Sequence, residues 1–333
     1  MYFYMFGMDA AEPEHCAARL AKLGFSAVVC PADRRCIDAV RDADMEAYVC
    51  AQAFPLESGS SKCQDVNGNE RVWFSSGCPN DPDAVRSRQD RWFALAQMEG
   101  LTGAFIDGAR FASPASPEGF ESLFTCFCPN CMAQMEAYGF HAEDVRNGVR
   151  EWRDGLRPLP PAEWLAFRRI TVYREMNRFV RCVKAANASL LTGAFVFPAS
   201  LGALVGQTAS ACASMDICAP MLYRCFGELE GPATLNHEYA ALLKYFGAGR
   251  TLALTGVSVP EDVLSRGFPP SQIRRETALA ENTGKTRLAP ILQLDDPLLV
   301  QSIASAIDGG ATGVGIFMYD SALLQRPPDL HRF

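Results

Sequence analysis

Short, almost wholly apolar runs alternate along this chain with longer stretches in which apolar residues return every three or four positions. The runs fall at 2–6, 27–30, 47–53, 103–107, 191–197, 217–223, 288–294 and 313–319. Unbroken apolarity over strand length predicts strands covered on both faces, and the 3.6-residue period between them predicts helices packed outside a parallel sheet. In one such stretch, Trp164, Phe167, Ile170, Tyr173, Met176, Val180 and Val183 form the apolar stripe, with arginines and Glu175 assigned to the opposite face. Leu298, Ile303 and Ile307 do the same before Gly309-Gly310, a stop signal. Eight strand-helix repeats predict a single (β/α)8 TIM barrel over residues 1–333, with long insertions at about 54–80 after the third strand and 111–161 after the fourth. A ninth apolar run, 251–257, is read as part of an extended connection between the sixth and seventh strands. An open doubly wound sheet is the competing architecture, but no glycine-rich phosphate loop follows the first run.

Both long connections leave the C-terminal mouth of such a barrel, where loops carry function. Composition narrows that function. The 333 residues are 49% hydrophobic with a net charge of −7, and no cluster of five or six Lys/Arg residues is present, which disfavours a nucleic-acid partner. No run has membrane-spanning length, so no membrane partner is expected. Residues 1–6 lack the basic flank and small-residue stretch of a cleaved leader and read as a first buried strand, predicting a cytoplasmic protein. Thirteen cysteines, an odd number, fit reduced thiols there rather than a disulfide framework; Cys16, Cys36 and Cys182 fall in helix-like stretches, and Cys30, Cys50 and Cys218 in strand-like ones. Self-association into a homo-oligomer stays open.

Three cysteines are spaced differently from the rest. Cys126-Phe127-Cys128-Pro129-Asn130-Cys131 is a C-x-C-x2-C knuckle, and Cys78-Pro79-Asn80 precedes the helix leading into the fourth strand. Four thiolates make a closed tetrahedral zinc site, with no position left for an activated water, so Cys78, Cys126, Cys128 and Cys131 predict a structural Zn2+ fastening two mouth loops. Cys63 competes with Cys78 as the fourth ligand, and loop thiols without metal are the alternative.

A cysteine in a C-P-x-x-P setting, a strand ending in an acid, and then C-x-C-x2-C resembles the zinc-bearing family 42 glycoside hydrolases, which are (β/α)8 β-galactosidases. The stretch is Cys78-Pro79-Asn80-Asp81-Pro82, then Asp107, then Cys126, Cys128 and Cys131, over about residues 72–135. That family ends its fourth strand in Asn-Glu, the Glu being its acid/base. Here Asp107-Gly108-Ala109 stands in its place, so the β-galactosidase assignment does not carry over. The chain more closely resembles hypothetical glycoside-hydrolase-like barrels of unassigned activity, through Ile106-Asp107-Gly108-Ala109-Arg110-Phe111, Asp216-Ile217-Cys218-Ala219-Pro220-Met221-Leu222-Tyr223 and Pro290-Ile291-Leu292-Gln293. The resemblance spans about residues 70–320 and implies cleavage of a glycosidic bond in a small glycoside or oligosaccharide.

Glycoside hydrolysis uses two carboxyl groups astride the scissile bond. Alternation from Phe105 turns Asp107 toward the barrel axis at the top of strand four, where it would serve as nucleophile or as an anionic stabiliser, with Arg110 orienting it and keeping it ionised. For the second carboxylate, Glu228 in the connection after strand six is favoured as the acid, followed by Asp295 after strand seven. Glu230 reads as solvated, and Asp296 as the cap of a helix starting near Pro297. Asp9, Arg110, Tyr223, Gln293 and Tyr319 lie near strand ends and are candidate substrate-binding residues, joined by Arg224 and by Trp73 as a stacking wall. A catalytically silent sugar- or protein-binding barrel, and a lyase or isomerase acting on a sugar acid with Asp107 as base, are the competing functions.

Overall fold

The computed structural model describes residues 1–208, 212–225, 235–280, 286–325 and 330–333. Strands β1 (Tyr2–Phe6), β2 (Ala27–Val29) and β3 (Glu46–Gln52) come first, followed by a hairpin of β4 (Cys63–Gln64) and β5 (Glu70–Arg71). Then come β6 (Gly103–Asp107), β7 (Leu191–Val196), β8 (Ile217–Pro220), β9 (Arg287–Leu288), β10 (Ile291–Gln293) and β11 (Gly313–Phe317). The main sheet runs β10-β11-β1-β2-β3-β6-β7-β8-β9, and every neighbour is parallel. Strands β9 and β10 are two halves of one barrel strand, interrupted at Ala289-Pro290, where proline has no N–H to give the ladder. A parallel bridge between Met221 and Ile291 closes the ring, reinforced by the Leu222 N–H donating to the Ile291 carbonyl at 2.9 Å. Counting that strand once, the described residues form the eight-stranded barrel the apolar runs predict.

Helices α1 (Pro13–Lys22), α2 (Arg34–Asp42) and α3 (Pro82–Ala96) follow the first three barrel strands. The connection after β6 carries α4 (Pro129–Ala137) and α5 (Ala142–Arg153) before reaching the long α6 (Ala162–Ala186). Beyond β7 lie α7 (Ala199–Val205), α8 (Leu235–Thr255), α9 (Glu261–Arg266), α10 (Pro270–Leu279) and α11 (Leu299–Asp308). Asp33 and Asp81 cap α2 and α3, each accepting two backbone N–H bonds. No helix among the described residues is long and apolar enough to cross a membrane.

Aromatic side chains fill the barrel. Phe105 stacks on Phe195 at 4.9 Å between ring centroids and meets Tyr4, Phe6 and Tyr48 edge-on. Glycine makes the space: a Cβ at Gly193 would lie 2.4 Å from the Phe105 ring. Below this layer, Tyr4 accepts from Arg287 at 2.7 Å and Tyr48 donates to Glu46 at 2.6 Å, so the polar plug sits at the N-terminal end of the strands, away from the mouth.

Two expectations need correction. Residues 251–255, read as extended chain, are the last turn of α8, and a left-handed Gly247 (φ 72°) kinks that helix upstream. Helix α6 keeps Arg169 and Arg181 on its solvent face, where Tyr173, expected in the apolar stripe, is 46% exposed, but two of the charged residues assigned to the polar face are buried. Glu175 is buried and pairs with Arg88 of α3 and with Arg178, and Arg168 is fully buried. The reason is tertiary: α3 packs along α6, with Trp92 edge-on to Phe179 at 5.4 Å, and Arg168 reaches the carbonyls of Leu123 and Thr125 in the 111–161 excursion.

Candidate active site at the barrel mouth

The 54–80 connection crosses the mouth as the β4–β5 hairpin followed by a tight turn at 73–76. The 111–161 connection lies against it: Asp65 pairs with Thr125, and the Phe127 N–H donates to Gln64 at 2.8 Å. Where the two meet, Cys78, Cys126, Cys128 and Cys131 converge, all buried, their sulfurs all within 4.8 Å of one another. Cys78 Sγ is 3.3 Å from Cys128 Sγ and 3.5 Å from Cys131 Sγ. Zinc–sulfur bonds of about 2.3 Å place tetrahedral sulfurs roughly 3.8 Å apart, so the donor set suits that ion. Asn80 supplies N–H donors to two of the sulfurs, its backbone to Cys78 at 3.4 Å and its side chain to Cys131 at 3.3 Å. Burial opposes the Cys126 thiolate, but the thiols of Cys128, Cys131, Cys63 and Cys78 donate toward it and hold it well below the usual thiol range. Cys63 lies against Cys126 outside the four-sulfur group, its Sγ 3.6 Å from the Gly77 carbonyl; Cys78 completes the cluster. Arg168, stacked 3.7 Å over Trp164 and bonded to the carbonyls of Leu123, Thr125 and Leu204, supplies a buried positive charge beside these sulfurs.

The mouth itself holds a cavity of about 380 Å3. Phe6, Met8, Phe195, Met221, Tyr223 and Phe317 contribute to its wall, and Asp107 is the carboxylate among the described lining residues. Asp107 ends β6 in register with Gln52 of β3, half-buried, and accepts the Gly108 N–H at 2.6 Å. Burial raises its carboxyl above the ordinary 3.8, with Arg110 and the Gly108 amide pulling it part of the way back. Tyr223 stacks on Phe317 at 5.2 Å, and burial together with the nearby Asp107 charge pushes its hydroxyl up. A second, more open hollow of about 430 Å3 adjoins the first and is bounded by Cys50, Gln52, Phe74, Ser75 and Asp107. Asp107, Cys50 and Phe74 line both.

Of the residues singled out in the sequence, the fold brings Asp107 and Tyr223 together. Arg110 is buried, its guanidinium between the rings of Trp73 (4.6 Å) and Phe197 (4.4 Å), and no ion pair joins it to Asp107. Its charge lowers the Asp107 carboxyl, against the larger raising effect of burial. Trp73 is correspondingly 2% exposed, and the exposed ring of that turn is Phe74. Gln293 is buried below the connection after β8, accepting the Cys225 N–H at 3.3 Å. Asp9 accepts the Ala11 N–H at 2.9 Å, and Tyr319 lies beside it on the rim above α1, its hydroxyl pushed up to about 12 by burial and by Cys16. Asp295 is half-buried in the turn after β10 and does not line the cavity. Glu228 and Glu230 lie outside the described residues. Asp296 caps less than it pairs: it accepts the Leu298 N–H at 2.8 Å and the Ser302 hydroxyl at 2.7 Å, and its main partner is the buried guanidinium of Arg224.

Sequence reasoning passed over Glu238. It is 1% exposed on α8, accepts the Ala115 N–H at 2.9 Å through Oε2, and faces Arg110 electrostatically; Oε1 has no partner among the described residues. Burial raises it from 4.5 to about 7, against the pull of Ala115, Ser113 and Arg110. A signal was present: Leu235, Glu238, Tyr239 and Leu242 share one helical stripe, so the glutamate sits on the buried face.

The architecture defines a fold class, the (β/α)8 barrel, and solved structures share it. A β-galactosidase from the Antarctic haloarchaeon Halorubrum lacusprofundi superposes with a TM-score of 0.65 at 12% identity, over 97% of this chain and 53% of that one. The PgaB (BpsB) glycoside hydrolase domain from Bordetella bronchiseptica gives 0.63 at 13% identity, over 99% and 97%. A β-galactosidase from the psychrophilic Marinomonas ef1 gives 0.66 at 9%, over 96% and 54%. The chain therefore spans about half the length of the β-galactosidases it matches and almost all of the PgaB domain. No protein-family model matches the sequence, and neither does any curated protein. At these identities the likeness is one of fold.

Proposed function

We propose that this chain is a glycoside hydrolase with Asp107 at its reaction centre, cleaving a glycosidic bond in a small glycoside or oligosaccharide. The observation that carries the reading is a half-buried carboxyl with a raised pKa, projecting from the end of the fourth barrel strand into the mouth cavity of a fold shared with glycoside hydrolases. A raised carboxyl pKa favours proton donation, so Asp107 is assigned as the acid that protonates the leaving oxygen rather than as nucleophile. Its anionic partner is proposed to be Glu228, in the connection that follows Tyr223, with Asp295 the next choice. Zn2+ on Cys78, Cys126, Cys128 and Cys131 is proposed as a structural clamp between the two loops that frame the cavity.

Purified protein assayed on a panel of aryl glycosides and short oligosaccharides, beside Asp107→Asn, tests this directly. Turnover by the native chain, reduced about 10^2–10^4-fold in the variant with its melting unchanged, is the expected result. Full activity in Asp107→Asn overturns the assignment. The specific observation favouring a silent sugar-binding barrel is that Asp107 is the single carboxylate among the described residues lining the cavity. Silence of the folded protein across the panel favours that reading.

A further inference from the structure

The two hollows that meet at Asp107 differ in chemistry. The inner one is walled by Phe6, Met8, Phe195, Met221, Ile291 and Phe317, with few side chains able to hydrogen-bond. A pyranose buried there would leave most of its hydroxyls unpaired, each at the cost of a buried polar group. The outer hollow offers Gln52, Ser75 and Asp107 beside open solvent. The partition between them is Phe74, a bulky ring left 38% exposed on a backbone with φ 50°, followed by Ser75 at φ 54°. Left-handed phenylalanine is unfavourable by itself. Here the turn is held from both sides: the Phe74 N–H donates to Glu118 at 3.1 Å, its carbonyl accepts from Gln52 at 3.2 Å, and the Leu56 N–H donates to Ser75 at 2.8 Å. A strained backbone that keeps an aromatic ring in solvent beside a candidate acid has the character of a ligand clamp.

We propose that the mouth takes a glycoside with an aryl aglycone, the aromatic ring seated in the inner cup, the sugar on the outer shelf, and the glycosidic oxygen at Asp107, with Phe74 as the stacking residue that sets this preference. The inference rests on the hydrolase reading for the position of the scissile bond, while the cup and Phe74 stand on their own geometry. An apolar cavity of roughly 150 Å3 already holds benzene, so about 380 Å3 admits a bicyclic ring. The methionines on the wall adapt to its outline.

The test uses 2-naphthol as a probe of the cup, followed by titration calorimetry, together with turnover of naphthyl, phenyl and methyl glycosides. Native protein binds 2-naphthol, and Phe74→Gly weakens it about tenfold. Glycine relieves the left-handed strain, so the variant melts at or above the native temperature; a purely structural Phe74 would leave binding unmoved. Naphthyl glycosides turn over with lower KM than methyl glycosides of the same sugar. No binding of 2-naphthol overturns the aryl cup whatever the activity. Binding that is unchanged in Phe74→Gly overturns the role of Phe74. Binding of 2-naphthol without turnover of any glycoside upholds the cup and sinks the hydrolase reading instead.

Discussion

Glu238→Gln isolates the electrostatics behind the chain that follows β6, at Arg110, Ser113 and Ala115. In the folded chain the Glu238 carboxyl titrates near 7, against 4.5 when exposed, because burial outweighs the Ala115 amide, the Ser113 hydroxyl and the Arg110 charge. Between those two values the folded state keeps a proton that the unfolded chain has lost. Stability therefore falls as pH rises from about 4.5 to about 7, and stays at that deficit above it. At 1.36 kcal/mol per unit the deficit is about 3 kcal/mol at pH 8. Glutamine copies the protonated form, keeping an acceptor for the Ala115 N–H while removing the charge. Glu238→Gln should then equal the native protein near pH 4.5 and exceed it by about 3 kcal/mol at pH 8. For a chain of 333 residues, with an unfolding entropy of about 2.1 cal/mol/K per residue, that corresponds to a melting temperature about 4 °C higher. Urea and thermal melts at both pH values measure it. A variant less stable than native at pH 8 would show that Glu238 and Arg110 form a net stabilising ion pair, and the burial argument would be wrong.

Two further predictions concern the frame of the site. Cys128→Ser should release zinc, read by elemental analysis of the purified protein, and lower the melting temperature by loosening both mouth loops; unchanged metal content and melting would refute the clamp. Asp296→Ala should leave the Arg224 guanidinium buried without its counter-charge and orphan the Leu298 N–H and Ser302 hydroxyl, a loss of about 3–5 kcal/mol in urea denaturation. A loss below about 1 kcal/mol would place that pair in solvent.

The barrel was legible because its strands are buried on both faces and so read as unbroken apolar runs, each of the eight falling on a strand of the ring. What misled was polarity used as a sign of exposure. Glu175 and Arg168 lie on the buried surface of α6 because each finds its opposite or a set of carbonyls there, and those partners are residues 36–87 positions away in sequence. The 251–255 segment was ambiguous for a different reason: the short run Leu252-Ala253-Leu254 fits either period, and it is helical as the end of the part of α8 that follows the Gly247 kink.

The same distinction separates the parts of the site. Cysteine spacing is local and chemically narrow, so three members of the cluster are legible in one hexapeptide, and the helix start at Cys78 favours it over Cys63; the fold brings Cys78 against Cys128 and Cys131, with the Asn80 side chain donating to Cys131. The mouth is non-local. Trp73 and Phe74 are adjacent, and composition favours the tryptophan as the stacking ring. Which of them faces the cavity depends on two left-handed residues in the turn, and these direct Trp73 under Arg110 and leave Phe74 beside Asp107. No residue type at those positions announces left-handed geometry, since neither Phe nor Ser favours it. The turn is imposed by partners at Gln52, Leu56 and Glu118, drawn from two separate stretches of chain. A ring that the local sequence would not place in solvent is held there by three long-range hydrogen bonds, and the proposed stacking role of Phe74 rests on that arrangement.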